Sequence, residues 1–173
     1  ISREEKKWAF FHPIAALKIR KQLKTVLPIV DSVKRKNLLD QFENGGKLDA
    51  FRHCFTMSIL AQKTAVRKLR KLGKAHEAGN YTDFKKGNNE NGERADSMSC
   101  VMDLLNNEIG FSIGKTNKKI SKDSLIKIVI SKIKTGELHY MKRNEKGQYL
   151  DCSGNIIELD RWKGKWYIPK CLN

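Results

Sequence analysis

The run DAFRHCFTMSILAQ, residues 49–62, decides how this chain is read. Phe51, Phe55 and Ile59 recur at spacings of four, which predicts an amphipathic helix with one buried side. The same run opens with Asp49, Arg52 and His53 grouped within one turn. Asp49 and His53 are four residues apart and so share a face, with Cβ atoms about 5–6 Å apart. Continued through RKLRK (67–71), whose cations suit a helix C-terminus, the pattern predicts one helix from about Asp49 to Leu72, stopped by Gly73.

Outward from this run the period stays helical. SREE (2–5) is a capping box that starts a short helix reaching Phe11, and Pro13 starts a second. His12 before it reads as a cap. Pro28 marks a break, after which Ile29, Val33, Leu38 and Phe42 predict a third helix ending at Gly45-Gly46. Residues 79–96, rich in Gly, Asn and charge, read as a long mobile loop. Two more helices are expected, from Ser97 to Ile109 closed by Gly110, and from Lys122 to Lys134 with Ser121 as cap.

After Gly136 the period changes. ELHYMKR, QYLDC, NIIELDRW and KWYIP are short, aromatic and β-branched, and predict two or three small antiparallel strands. The expected fold class is therefore mainly α, a compact bundle of about six helices over residues 1–136, with a small antiparallel β-hairpin appendage at 137–173 packed on the same domain.

Charge and cysteine usage narrow the function. The 173 residues carry 35 Lys+Arg against 19 Asp+Glu, a net charge of +16. It is distributed as +6 over residues 1–48, +2 over 49–110 and +8 over 111–173, so the acids collect where the His-containing runs lie. A positive shell round a locally acidic centre suits a site that receives a polyanion, although a solubilising lysine surface gives the same count. The four cysteines show no C-x-x-C spacing, which argues against a structural zinc site. Cys54 and Cys100 read as small buried residues, and Cys152 with Cys171 can bridge in an oxidising compartment. The start on Ile1 is compatible with a piece of a longer protein.

Three segments hold the candidate chemistry. Besides Asp49, Arg52 and His53, there are His76 and Glu77 in AHE (75–77), and Asp103, Asn106 and Asn107 in MDLLNN (102–107), with Asp96 and Ser99 one and two turns back. If these faces meet, Asp49, His53, His76 and Asp103 form an imidazole–carboxylate set suited to zinc, manganese or iron. Such an ion lowers the pKa of a bound water and polarises a phosphoryl or carbonyl oxygen. Glu77 is then the candidate base and Arg52 the stabiliser of developing negative charge, with Asp96, Asn106 and Asn107 lining the site. Without chemistry, the same residues make a buried hydrogen-bonded network that pins helices together. His139, beside Tyr140, reads as a surface or strand-pairing residue.

In the order D-A-F-R-H, A-H-E, M-D-x-x-N-N-x-x-G, the chain resembles a family of bacterial secreted or toxin-associated domains of uncharacterised activity, over roughly residues 4–136. It departs from that pattern at Asp49 for Asn, Cys54 for Ala, Thr56 for Trp and Leu105 for His. The resemblance implies an antibacterial effector at the C-terminus of a larger secreted protein, delivered into a target cell and neutralised by a cognate, acidic immunity protein. The function expected is metal-dependent hydrolysis of a phosphate-containing target, nucleic acid or phospholipid, with zinc or manganese as cofactor. The alternative is a non-catalytic basic toxin that disrupts anionic membranes through its helix at 121–134.

Overall fold

The computed structural model describes residues 1–88 and 94–173, and its described residues form six α-helices. Helix α1 (Arg3–Phe11) starts on the expected capping box: Glu5 N–H donates to Ser2 Oγ at 3.1 Å, and Ser2 N–H donates to Glu5 Oε2 at 2.7 Å. Helix α2 (Pro13–Arg35) follows after His12 alone. The His12 side chain makes no cap hydrogen bond; its ring meets Trp8 edge-on instead.

Helix α2 does not break at Pro28. Val26, Val30 and Val33 are buried on one side and Pro28 is exposed on the other, so packing on both sides of the proline outweighs the lost backbone bond. The third helix expected over 29–46 is correspondingly absent. Residues 36–46 form turns organised by Asp40, whose carboxylate accepts from the N–H groups of Phe42, Lys47 and Leu48. Asp40 thereby caps helix α3 (Lys47–Ala61) from seven residues upstream, in place of a side chain that its N-cap Gly46 lacks.

The single helix expected over 49–72 is two. The chain turns at residues 62–65, where Gln62 Nε2 donates to the carbonyls of Asn117 and Ile120, and restarts as α4 (Val66–Lys86). Gly73 is a contact point inside α4 rather than a stop: a Cβ there would lie 3.2 Å from Asn107 Nδ2. The expected loop at 79–96 is helical up to Lys86, and the part of it at 89–93 lies outside the described residues.

Helix α5 (Ser97–Thr116) runs beyond the stop expected at Gly110 because α5 crosses α3 at its glycines. A Cβ on Gly110 would stand 2.4 Å from Cys54 O, and one on Gly114 would stand 2.1 Å from Ser58 O. Only hydrogen side chains let the two backbones approach so closely, and the register, 54 with 110 and 58 with 114, makes α3 and α5 run side by side in the same direction. Helix α6 (Lys122–Lys134) starts on Ser121 as expected and buries Leu125, Val129 and Ile133 against Phe51, Cys54 and Phe55 of α3.

Beyond α6 the described residues contain no strand. Isolated antiparallel bridges join Met141 with Leu172, Arg143 with Tyr149, and Leu150 with Ile156, and a single 3₁₀ turn spans Leu159–Trp162. The β appendage expected at 137–173 fails for a local reason. Turns at Asn144–Gly147 and Asp151–Gly154, the latter wound round the Asp151 carboxylate, leave the intervening segments too short for a ladder. This tail is nevertheless fixed. Cys152 and Cys171 form a disulfide, Met141, Tyr149 and Ile157 pack on Met102 of α5, and Leu138 is buried in the main core.

Candidate metal centre

Helices α3 and α5 place Asp49, His53 and Asp103 together. One ligand atom from each lies within 4.8 Å of the others, and all three side chains are largely shielded from solvent. His53 Nε2 stands 3.5 Å from Asp49 Oδ1 and 3.3 Å from Asp103 Oδ1. Helical spacing puts Asp49 and His53 on one face of α3, and the glycine crossing draws α5 close enough to bring Asp103 to the same point.

The partners of these groups bear on what the cluster holds. Asp49 Oδ2 accepts the Gly45 N–H at 2.7 Å, which fixes the carboxylate and turns Oδ1 toward His53. Arg52 donates to that same Oδ1 from Nη2 at 2.6 Å and from Nε at 3.1 Å, and its Nη2 is also 3.3 Å from His53 Nε2. Burial pushes the His53 imidazole down to about 4; Asp49 and Asn107 oppose that push, and the charges of Arg52 and His76 add to it. The ring is thus neutral at neutral pH. Guanidinium can only donate, so its approach requires Nε2 to present a lone pair, whereas the two carboxylate oxygens favour a proton there. A metal ion held by the three atoms would accept a lone pair from each, in competition with the Arg52 guanidinium, which already meets two of them. Ligands held about 2.1 Å from a tetrahedral ion stand about 3.4 Å from one another, which is the spacing His53 keeps to both carboxylates. The donor set could therefore hold a metal ion.

A cleft lined by Asp49, Arg52, Asp103, Asp96, Ser99 and Lys170 opens on this cluster and holds about 30 Å³. That is room for about one water or ion and not for a polymer segment. A larger open groove of about 800 Å³ lies elsewhere, at the α3–α4 turn, and is lined by Arg67, Arg70, Lys115 and Lys118.

The remaining candidates are placed differently. His76, proposed from sequence as a ligand, stands outside the cluster: its Nδ1 is 3.1 Å from Glu5 Oε1, and that contact holds the Glu5 carboxyl down at about 2. Glu77 is buried, accepts from Asn80 Nδ2 at 3.0 Å and lies beside Cys100, whose thiol burial and the Glu77 carboxylate push up. Asn106 is a structural pin rather than a lining residue, since it pairs with both the N–H and the carbonyl of His139, at 2.9 and 2.8 Å. Asp96 caps α5 through the N–H groups of Met98 and Ser99 and takes Lys170 Nζ at 2.7 Å. Asn107 faces His53 and Gly73.

Lys170 and Arg94 line the cleft without having been legible as site residues. Lys170 is 74 positions from its acid; the available signal was a lysine set between Pro169 and Cys171 in an otherwise apolar tail. Arg94 donates to Phe84 O at 2.7 Å and stacks on the Phe84 ring.

Fold and site together define a helical domain built round a buried acid–imidazole cluster. Residues 6–137 match the model of a domain family of unknown function, DUF6973, and the chain belongs to that family. Comparison with curated proteins and with solved structures yields no match.

Proposed function

We propose that this chain is an antibacterial effector domain whose Asp49, His53 and Asp103 hold a zinc or manganese ion, and that it hydrolyses a phosphate-containing target, nucleic acid or phospholipid, whose phosphate approaches the water-sized cleft from outside. The observation that carries the reading is the convergence of those three ligand atoms within 4.8 Å in a neutral-imidazole environment. When bound, the ion supplies a water of lowered pKa and polarises a phosphoryl oxygen. Arg52, one-third exposed and lining the cleft beside Asp49, would there offset negative charge developing on the phosphoryl group. Asp96 and Lys170 hold the rim of the cleft. Glu77 and His76 have no part in this version of the site.

The effector context rests on the resemblance of the three motifs. A net charge of +16 supports fast association with an acidic immunity protein, and the Cys152–Cys171 bridge supports passage through an oxidising compartment as part of a secreted protein with its own delivery domain. The membrane-disrupting alternative through residues 121–134 loses support, because the apolar stripe of α6 is already engaged in the core.

A purely structural role is the competing reading, favoured by one observation: Arg52 already occupies Asp49 Oδ1. Metal content of the purified protein, zinc and manganese titrations, and toxicity on induction in a bacterial host separate the two, with His53→Ala and Asp103→Asn as variants. The metal reading expects one ion per chain, with affinity reduced about 100-fold or more in either variant and toxicity lost with it. A folded protein that takes up neither ion, and stays toxic in both variants, refutes it.

A further inference from the structure

The surface formed where α1 meets α2 is unlike the rest of the molecule. Phe10, Phe11, Ile14 and Leu17 are 79, 74, 70 and 68% exposed, four large apolar side chains within eight residues. They cannot turn inward, because the opposite sides of both helices are committed: Trp8 is buried with its Nε1 donating to Lys68 O at 3.1 Å, and Ala15 and Ile19 are buried in the same cluster. Lysines stand one helical turn away on each arm. Lys6 and Lys7 precede Phe10 and Phe11 by four positions on α1, and Lys18 and Lys21 follow Ile14 and Leu17 by four on α2, all of them exposed. Residues 6–30 carry six cations and no acid.

We propose that this corner docks on an anionic lipid bilayer, with the four apolar side chains entering the headgroup–acyl boundary and the lysines on both arms resting among the phosphates. An apolar tip between two basic arms is the arrangement an interfacial anchor needs: burial of apolar area gives depth, and lysine stems lie along it while their charges stay at the headgroups. The acid-free stretch supplies the charge complementarity to that surface. A second copy is a poorer occupant, since pairing the corner with itself would oppose two six-cation faces. The inference does not depend on the metal centre.

The test is cosedimentation of the whole chain with phosphatidylcholine vesicles, with and without phosphatidylserine. Because a net charge of +16 adsorbs on any anionic surface, three variants carry the discrimination. Phe10→Ser with Phe11→Ser changes no charge; Lys18→Gln with Lys21→Gln removes two from the corner; Lys115→Gln with Lys118→Gln removes two from elsewhere. The substituted side chains are solvent-exposed, and circular dichroism verifies the fold. Docking at the corner requires binding to phosphatidylserine vesicles, about a ten-fold or greater loss with the phenylalanine pair, and about a five-fold loss per lysine at the corner, larger than for the distant pair. Equal binding by wild type and the phenylalanine pair would overturn the proposal. So would equal losses from the two lysine pairs, or a concentration-dependent dimer that the phenylalanine pair abolishes.

Discussion

Lys170→Met isolates one interaction that shapes the cleft. Lys170 Nζ lies 2.7 Å from Asp96 Oδ2, and the two side chains are only 5% and 2% exposed. Methionine keeps most of the buried stem and removes the charge, so the loss reports an uncompensated buried carboxylate, for which about 3–5 kcal/mol is typical. The lower end applies here, because Asp96 Oδ1 still accepts the N–H groups of Met98 and Ser99 at 2.8 and 3.1 Å and keeps part of its charge stabilised. A cost of about 3 kcal/mol corresponds to a fall of about 6–12 °C in Tm for a chain of this size. Urea denaturation at neutral pH, followed by circular dichroism with the disulfide intact, measures it. The double variant Asp96→Asn with Lys170→Met removes both charges and leaves an amide that still caps α5, so it should recover to within about 1.5 kcal/mol of wild type. A single variant costing under about 1 kcal/mol, or a double variant no better than the single, would refute the assignment of this pair as the tail's electrostatic anchor.

Two further outcomes follow from packing and titration. Gly114→Ala places a methyl 2.1 Å from Ser58 O, so α3 and α5 must part; the expected cost is about 3 kcal/mol, read from the urea midpoint, and a cost below about 1 kcal/mol would show that the crossing is looser than described. Because Glu5 titrates at about 2 when folded and near 4.5 when unfolded, its contribution is present above about pH 4.5 and disappears as pH falls toward 2; His76→Gln should return the Glu5 midpoint toward 4.5 in a carboxyl NMR titration and shrink that acid-side loss by about 1 kcal/mol, the contact being partly exposed.

What the sequence made legible was local. The capping box at Ser2, the start at Pro13 and the whole of α6 stand as read, because each is set by neighbours within a few positions. The errors in helix boundaries involve residues whose role is set by something distant. Pro28 and Gly73 carry strong helix-breaking signals, yet Pro28 faces solvent while valines hold the opposite face, and Gly73 lies against Asn107. Gly110 looked like a terminator and proved to be a point of backbone contact, as did Gly114. A glycine within a helical pattern has two meanings, an end or a close crossing, and only the partner helix distinguishes them.

The same division runs through the candidate site. Asp49 and His53 were linked by their spacing on one helix, and Asp103 joins them only because two glycines on its own helix let that helix lie against α3. The AHE run was grouped with them by residue type, but the direction of α4 gives His76 to Glu5 and Glu77 to Asn80. Residue type therefore nominated more ligands than topology could deliver. The cluster left by topology is smaller, three ligands instead of four, and a three-ligand set with a water-sized cleft is the arrangement that leaves a coordination position open for a reacting water. A three-residue set is compatible with the hydrolytic proposal, since a tetrahedral ion held by three side chains would keep one position for water.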